Sequence, residues 1–182
     1  MREFSAFNYA FRFTIEGQFR SFTRDIGQRV SIPRLNVVIK RIVIVNLGAQ
    51  SLGIFDRDQD RAQSLASVVR ASAPEMAVSV ASDLDTLARG AHGLINCTPV
   101  GMVGYEGTPL ASEQMAGAGW AFDAVYTPRK TQFLDDARMQ GLKVISGYEL
   151  FFFQGVHAWR HFSGKPVDVE KLRETLEKTS TS

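Results

Sequence analysis

The sequence predicts an α/β fold, a doubly wound and mostly parallel sheet that is incomplete at its amino-terminal β-α-β unit. From residue 50 onward, short apolar or β-branched segments alternate with helical ones, which is typical of a parallel sheet with helices on both faces. Only six residues separate the strand predicted at 36–45 from the strand predicted at 52–55. A crossover between neighbouring parallel strands needs about a dozen residues. Either these two strands do not pair in parallel, or a helix between them has been lost.

Six segments rich in Val, Ile, Ala or aromatic residues predict the strands of the sheet. The first is a long β-branched run, and the others are shorter. The predicted strands lie at 36–45, 52–55, 76–80, 93–96, 120–125 and 143–145. Residues 17–36 show no clear period, so we treat 19–44 as an atypical segment that contains one strand.

Helical spacing predicts two helices in the first half of the chain. Phe4, Phe7 and Phe11 fall on one helical face, which predicts a short amphipathic helix at 4–16. A second amphipathic helix is predicted at 59–71. Its inner stripe consists of Ala62, Leu65, Ala66 and Val69.

Cap and turn residues mark the later helices. Ser82 with Asp85 three residues on is a capping-box pattern, which predicts the start of a short helix. Gly141 ends a helix predicted at 131–139. A strongly apolar helix at 149–162 and a charged helix at 168–178 complete the prediction.

Composition predicts a single soluble domain. The chain has 182 residues, 45% of them hydrophobic and 22% charged, which is close to ordinary globular usage. A net charge of +2 without a dense Lys/Arg block does not imply nucleic acid. No apolar run approaches the roughly 20 residues of a membrane helix, and the first residues lack the features of a signal peptide. We therefore expect a cytoplasmic protein with no membrane or nucleic-acid partner.

Asp56 follows the second predicted strand and precedes a helix. An acidic side chain at this place can accept hydrogen bonds from both hydroxyls of an adenosine ribose, and its charge repels a 2′-phosphate. Asp56 would then favour NAD over NADP. The alternative is that Asp56, Asp58 and Asp60 only cap the helix and oppose its positive N-terminus.

The sequence lacks the glycine loop that holds the pyrophosphate of a dinucleotide. Such a loop, G-x-G-x-x-G, opens a helix whose N-terminus faces the phosphates. Gly48 and Gly53 lie five residues apart, but their segment leads directly into the strand at 52–55. We therefore reject this segment as a phosphate loop.

Three later strands end in polar or turn-forming segments, and in an open parallel sheet ligands bind at this end of the strands. The segments are 96–102, 123–128 and 147–154. Asn96 and Thr98 can hydrogen-bond either nearby backbone or a ligand. Tyr126 is either a ligand contact or an amphipathic residue at the sheet edge. Gln154 lies on an otherwise apolar helix, where its amide needs a partner, either a ligand or a buried structural group.

The cysteine and the histidines indicate no redox or metal chemistry. Cys97 is the one cysteine of the sequence, and we expect a small buried hydrophobe there rather than a nucleophile. His157 and His161 are four residues apart on one predicted helix, but no HExxH pattern or third ligand accompanies them. We predict that neither these two nor His92 binds a metal.

The three strand-end segments and residues 56–63 resemble, in order and spacing, the cofactor half of the shikimate and quinate dehydrogenases. The resemblance covers residues 45–176, and more faintly 4–16. It implies a Rossmann-like dinucleotide-binding domain with C-terminal helices at 45–182, the atypical segment 19–44 before it, and a hinge-helix remnant at 1–18. Residues 56–63 resemble the NAD-using members, so NAD rather than NADP is the implied cofactor.

The resemblance also implies roles for individual residues. The cofactor-binding residues would be Asp56, Arg61, Asn96, Thr98, Met102, Val125, Gly147 and Leu150, and the substrate-binding residues would be Tyr126 and Gln154. Arg61 would lie over the adenine side, and Asn96, Thr98 and Met102 along the nicotinamide ribose. Val125 would pack near the nicotinamide, and Tyr126 would offer its hydroxyl to shikimate or quinate.

The resemblance assigns no catalytic residue to this chain. Members of the family supply a lysine and an aspartate around the reacting hydroxyl from an N-terminal domain, for proton transfer beside the hydride step. Glu3 falls where that aspartate stands, and the lysine has no counterpart. Residues 45–52 resemble the end of the family's first helix, so the glycine loop is also missing. We expect a truncated and internally deleted chain, produced by a frameshift, a splice or gene-model error, or a degenerate paralogue.

Two functions follow as hypotheses. The chain is the NAD-binding part of a shikimate/quinate dehydrogenase, which moves a hydride between NAD and a ring hydroxyl, and is inactive alone. Alternatively, it is a non-catalytic regulatory module that binds shikimate, quinate or a nucleotide. A degenerate product with only structural likeness is a third reading.

Overall fold

The computed structural model describes residues 10–13 and 49–179. The strand predicted at 36–45 and the atypical segment 19–44 lie outside these residues. The predicted hinge remnant at 1–18 is described only at 10–13, and there for its backbone alone. The domain predicted at 45–182 is described for most of its length.

The described strands form one sheet in the order β3-β2-β1-β4-β5-β6. Their bounds are Ala10–Phe13 (β1), Ser51–Phe55 (β2), Ala77–Val80 (β3), Gly93–Asn96 (β4), Trp120–Asp123 (β5) and Lys143–Ile145 (β6). β2 pairs in parallel with β3, and β4, β5 and β6 pair in parallel in turn. β1 lies between β2 and β4 and runs antiparallel to both. The predicted mostly parallel α/β sheet is confirmed, with β1 as its exception.

The helix predicted at 4–16 is wrong for residues 10–13, which form β1. Phe4, Phe7 and Phe11 have helical spacing, but aromatic residues also recur at positions 7, 9, 11 and 13, and a period of two fits a strand. β1 completes ladders on both of its sides, with β2 and with β4. Tertiary pairing therefore decides between two local patterns that the segment carries together.

Five α-helices lie within residues 49–179. Four were predicted within two residues of both bounds, and for the fifth, α2, only the start was predicted. They are Gln59–Ser72 (α1), Leu84–Ala88 (α2), Gln132–Met139 (α3), Gly147–Ser163 (α4) and Val169–Thr179 (α5). A short 3-10 helix, Ser112–Met115, was not predicted. Gly141 follows α3 at φ +79°, a left-handed conformation that ends the helix as predicted.

The start of α2 differs from the predicted capping box. Asp83, not Ser82, is the N-cap, because its carboxylate accepts the Thr86 N–H at 2.7 Å. The Asp85 carboxylate instead accepts a hydrogen bond from Arg89 Nε at 2.9 Å. A carboxylate at the N-cap also opposes the positive end of the helix dipole, which favours Asp over Ser here.

Consecutive strand residues point to opposite faces of the sheet and build two cores. Ile95 and Phe122 pack in the core that contains the inner stripe of α1 and Leu150 of α4. Leu94 and Ala121 pack in the core on the other face, with residues of α2 and α3. Helices therefore cover both faces, as a doubly wound sheet requires.

One arginine of α5 contacts two residues of α4. Arg173 donates to both carboxylate oxygens of Glu149, at 2.6 and 2.8 Å, and its guanidinium lies 4.3 Å from the centroid of the Phe152 ring. No helix within residues 49–179 has the length and apolar character needed to cross a membrane.

Candidate functional site

The carboxyl ends of the parallel strands meet at one edge of the sheet. Ala10 lies opposite both Phe55, the last residue of β2, and Asn96, the last residue of β4. Asn96 in turn pairs with Asp123, the last residue of β5. Because neighbouring strands lie about 4.8 Å apart, the loops after β2 and β4 leave the sheet roughly 10 Å from each other. This carboxyl edge is where an open parallel sheet binds ligands.

The polar side chain of Asn96 bonds to other groups of the protein at this edge. Asn96 Nδ2 donates to Asp123 Oδ1 at 2.9 Å and to the Val100 carbonyl at 3.2 Å. Asn96 Oδ1 accepts the Thr98 N–H at 2.9 Å. Both amide hydrogens of Asn96 are therefore used inside the protein, and the side chain shapes the loop after β4.

Asp123 connects this loop to two further elements. Its Oδ1 also accepts the Val125 N–H at 3.0 Å, and its Oδ2 accepts the Thr131 hydroxyl at 2.5 Å. Thr131 Oγ1 accepts the Leu134 N–H at 3.3 Å and so caps α3. We call Asn96, Asp123 and Thr131 the buried polar network. Each is at most 2% exposed.

Burial raises the pKa of Asp123 to about 6, although its hydrogen bonds from Thr131, Val125 and Asn96 oppose the rise. The charged form loses hydration that three donors only partly replace. Burial also raises the pKa of the neighbouring Cys97 thiol, and Asp123 adds to that rise. A thiol of raised pKa is a poor nucleophile, which agrees with the prediction of a small buried hydrophobe.

The loop after β4 is a tight turn that folds back over the edge. Thr98 Oγ1 accepts the Val100 N–H at 3.0 Å, and Met102 N–H donates to the Pro99 carbonyl at 2.9 Å. Val103 N–H donates to the Thr127 carbonyl at 3.4 Å. The loop is thereby tied to the segment after β5. Thr98 is buried, and Met102 is partly buried.

Val125, Gly147 and Leu150 are all buried, at the end of β5 and in the first turn of α4, and their predicted place beside the nicotinamide stays a prediction. A Cβ on Gly147 would lie only 2.5 Å from the Ala124 and Val125 carbonyl oxygens. Only glycine lets the first turn of α4 approach the end of β5 this closely. The sequence therefore places an apolar, tightly packed surface between β5 and α4.

Tyr126 and Phe151 form an exposed aromatic pair beside this wall. Their rings are stacked with centroids 5.1 Å apart and 6° between their planes, and they are 49% and 52% exposed. Gln154 follows Phe151 by three residues on α4, is half-buried, and makes no hydrogen bond within residues 49–179. We call Tyr126, Phe151 and Gln154 the aromatic strip.

Asp56 shapes the turn into α1. Its carboxylate is 1% exposed, and its Oδ1 accepts the Asp58 N–H at 2.9 Å. Asp58 caps the helix and forms an ion pair with Arg61 at 2.9 Å. This geometry agrees with the capping alternative for the acidic cluster, and the ribose contact of Asp56 and the adenine contact of Arg61 stay predictions.

A cavity of about 240 Å³ opens at the edge between the ends of β2 and β4. Its polar lining includes Arg57, Asn96, Thr98 and Thr108, and its apolar lining includes Phe55 and Phe133. Arg57 was not among the predicted site residues. Its position directly after Asp56, at the strand end, was the signal that the sequence offered.

The direction of β1 bears on the phosphates of a dinucleotide. The sequence has no G-x-G-x-x-G turn. Among the described strands, β1 lies between β2 and β4 and runs opposite to the strand that such a turn follows. Residues 10–13 and 49–179 therefore do not supply a glycine loop at the centre of the sheet.

The predicted site residues therefore fall into separate places along one edge. Asn96 and Thr98 line the cavity, but the other predicted residues do not. Val125, Gly147 and Leu150 form the apolar wall, with Tyr126 and Gln154 beside it. Met102 lies in the loop that ties the two parts together.

Relatives with known activities match most of the chain. The quinate/shikimate dehydrogenase (NAD(+)) of Corynebacterium efficiens is 34% identical over 135 residues, which is 73% of this chain and 48% of that protein. The shikimate dehydrogenase (NADP(+)) of Pseudarthrobacter chlorophenolicus is 34% identical over 132 residues, 71% of this chain and 45% of that protein. The chain thus spans about half the length of the curated relatives it matches. No protein-family model matches it.

Solved structures agree with these relatives. The quinate dehydrogenase of Corynebacterium glutamicum in complex with NAD superposes with a TM-score of 0.67 at 32% identity, covering 79% of this chain and 51% of that one. Shikimate 5-dehydrogenase of Thermus thermophilus in complex with NADP(H) and shikimate gives a TM-score of 0.57 at 31% identity, covering 69% and 45%. Over this matched half, the chain belongs to the quinate/shikimate dehydrogenase family and corresponds to the C-terminal, Rossmann-like part of these enzymes.

Proposed function

We propose that this chain binds the two ends of NAD and a cyclic hydroxy acid, quinate or shikimate, at the carboxyl edge of its sheet, and does not transfer hydride by itself. The observation that carries the proposal is the convergence of the loops after β2, β4 and β5 on that edge, beside the start of α4. In a complete enzyme of this family, these loops would form the cofactor-facing wall of the active site.

The aromatic strip supports the hydroxy acid as a ligand. Tyr126 presents a half-exposed hydroxyl, and Gln154 is a half-buried amide without a hydrogen-bond partner among residues 49–179. A ring that carries hydroxyls and a carboxylate offers acceptors and donors to both groups. The stacked Phe151 ring gives the flat, apolar floor on which such a ring can rest.

The acidic start of α1 supports NAD over NADP. Asp56, Asp58 and Asp60 place negative charge at the end of β2, where a 2′-phosphate would have to lie. The relatives include both NAD and NADP enzymes, so family membership alone does not decide between the two cofactors. The Asp56→Asn variant should reduce the ratio of NAD affinity to NADP affinity, because it weakens the repulsion of the 2′-phosphate.

The absence of turnover is supported by the residues that proton transfer needs. Over the half of its relatives that this chain spans, the resemblance assigns it no residue for proton transfer. Without a group that takes the hydroxyl proton, hydride transfer from that carbon has no favourable route. Oxidation of quinate by the purified chain with NAD would refute this part of the proposal.

Titration calorimetry with quinate and shikimate tests the acid site. We expect Gln154→Leu and Tyr126→Phe each to weaken binding about 5- to 10-fold, since a hydrogen bond contributes roughly 1 kcal/mol. Gln63→Leu, on the exposed side of α1, is the matched control and should leave affinity unchanged. Flat titrations with both acids would refute the site.

The second candidate is a non-catalytic module that binds the acid alone. The reversed direction of β1 favours it, because within residues 10–13 and 49–179 the centre of the sheet has no parallel strand that could carry a pyrophosphate loop. Acid binding together with no response to NAD or adenosine would select this candidate.

A further inference from the structure

We propose that Asp123 is a positioning residue for the ligand edge: its buried carboxylate holds the backbone that presents Tyr126, without touching a ligand itself. Asp123 is 0% exposed, so a ligand at the edge does not reach it. The inference deepens the proposed function and rests on it for the identity of the ligand. It follows from the number of segments that meet at this one side chain.

The Asp123 carboxylate accepts hydrogen bonds from three segments of the chain. Asn96, at the end of β4 and 27 residues away in sequence, donates from Nδ2 to Oδ1 at 2.9 Å. The Val125 N–H donates to the same oxygen at 3.0 Å, and the Thr131 hydroxyl, at the start of α3, donates to Oδ2 at 2.5 Å. A carboxylate has room for about four such bonds. One side chain therefore fixes three segments against each other.

The bond from Val125 is the step that reaches Tyr126. It joins the Asp123 side chain to the N–H two residues on, which is an Asx-turn, and it fixes the direction in which the chain leaves β5. Tyr126 follows directly and is 49% exposed. Its ring stacks on Phe151 of α4, with 5.1 Å between the centroids. The place of the Tyr126 hydroxyl therefore depends on the turn that Asp123 closes.

The same carboxylate oxygen also holds the loop on the other side of Tyr126. Oδ1 of Asp123 accepts from Asn96, where the loop after β4 begins. This loop returns at Val103, whose N–H donates to the Thr127 carbonyl at 3.4 Å. The residues before and after Tyr126 are thus both tied to Asp123, one directly and one through the loop.

All three partners of Asp123 are donors, so the position requires an acceptor. An asparagine at 123 retains one carbonyl oxygen, which can accept from Asn96 and Val125 as Oδ1 does. An alanine retains no acceptor. It leaves buried donors unpaired and releases the segment after β5. The two substitutions therefore have different expected effects on Tyr126.

The test compares Asp123→Ala with Asp123→Asn in the full chain, by calorimetry with quinate and by the NMR shifts of the Tyr126 ring protons. We expect Asp123→Ala to weaken quinate binding about 5- to 10-fold and to reduce the ring-current shift that Phe151 gives to Tyr126. Asp123→Asn should bind quinate within about twofold of the wild-type chain and retain the shift. An unchanged Asp123→Ala variant would overturn the inference, as would an Asp123→Asn variant that loses both properties.

Val69→Ala is the control for a general loss of stability. Val69 is fully buried in the last turn of α1, a helix that begins at the ligand edge and leads away from it. This variant should lower the midpoint of chemical denaturation and leave quinate affinity and the Tyr126 shifts unchanged. Equal losses of affinity in Val69→Ala and Asp123→Ala would assign the effect to stability and overturn the inference.

A second variant keeps the test decisive where Asp123→Ala does not fold. Asp123→Val has a β-branched side chain that suits the end of a strand, and the same results are expected of it. Loss of folding in both variants would overturn the inference, because Asp123 would then be a residue of stability alone. If the wild-type chain binds neither quinate nor shikimate, the proposed function fails, whereas the Tyr126 shifts still decide whether Asp123 positions that ring.

Discussion

Two sets of side chains lie at the same edge of the sheet but differ in what they contact. The buried polar network of Asn96, Asp123 and Thr131 is at most 2% exposed, and its hydrogen bonds connect the loop after β4, the end of β5 and the start of α3. The aromatic strip has rings about half exposed and an amide without a partner among the described residues. A position at the carboxyl end of a strand is therefore not enough to identify a ligand contact. Groups that bond within the protein hold the loops, and groups that do not are available to a ligand.

The largest expected effect comes from breaking the close approach between α4 and the end of β5. Gly147→Ala puts a Cβ 2.5 Å from two carbonyl oxygens, so α4 must move away from β5. We expect the free energy of unfolding to fall by about 3 kcal/mol, within the range of severe backbone clashes. Chemical denaturation measures it.

Gly155 is the matched control on the same helix, because a Cβ there meets no atom within 4 Å. Gly155→Ala should raise stability by about 0.5–1 kcal/mol, since alanine favours the helix over glycine. Equal losses in the two variants would mean that the approach of α4 to β5 is unimportant.

The buried polar network should show in the pH dependence of stability. Because burial raises the pKa of Asp123 to about 6, from about 3.9 for an ordinary Asp side chain, the folded state binds a proton more readily than the unfolded state between these pH values. The contribution is fully present below about pH 4 and is lost as pH rises through 6, a change of roughly 2–3 kcal/mol. Asp123→Asn should remove this slope, whereas Asp135→Asn, on the exposed surface, should retain it. A slope that survives in Asp123→Asn would assign it to another group.

The aromatic strip should respond more weakly. Phe151→Ala removes the stacked partner of Tyr126, and we expect a loss of about 1 kcal/mol in unfolding free energy. The Tyr126 ring protons should also lose their ring-current shift in NMR spectra. Trp159→Ala, equally exposed on α4, is the control and should leave both observations unchanged. An unshifted Tyr126 in the wild-type chain would contradict the stacked geometry.

The smallest effect is expected far from the edge, at the anchor of α5. Arg173→Ala removes a bidentate bond to Glu149 and a contact with the Phe152 ring, at side chains about 30% exposed. We expect a loss of about 0.5–1 kcal/mol, with faster hydrogen exchange confined to α5. Arg138→Ala, which breaks an exposed pair with Asp135, should cost less than about 0.5 kcal/mol. Faster hydrogen exchange throughout the sheet would show that the Arg173 contacts also stabilise the sheet.

The sequence predicts the later half of the fold because its signals are local. The strands at 93–96 and 143–145 were predicted at the bounds that the structure has, and Gly141 ends α3 as expected. β1 was missed because positions 4–13 carry helical and strand periods together, and only pairing with distant strands decides between them. The cap of α2 was displaced by one residue because two adjacent side chains, Ser82 and Asp83, can both serve.

The sequence indicates which residues follow the strand ends, but it does not show which of their side chains bond to each other. The resemblance pointed to Asn96 as a ligand contact, yet its partner Asp123 stands 27 residues further on, and no local pattern reports that pairing. Arg61 was favoured by the motif, whereas Arg57 lines the cavity. Such roles depend on which side chains meet across strands, and a single sequence does not contain that information.

The central position of β1 has a consequence for how the molecule assembles. Strands that follow each other along the chain form two parallel sets, β2 with β3 and β4 with β5 and β6. Each set can pair without the rest of the sheet. β1 must travel from the amino terminus to seal the seam between these two halves, a step of high loop-closure entropy. Before β1 pairs, β2 and β4 each have an edge of unpaired backbone N–H and C=O groups, and such edges favour aggregation. We therefore expect the yield of soluble protein to depend on the pairing of residues 10–13. A tag or deletion that hinders this pairing should first increase the insoluble fraction.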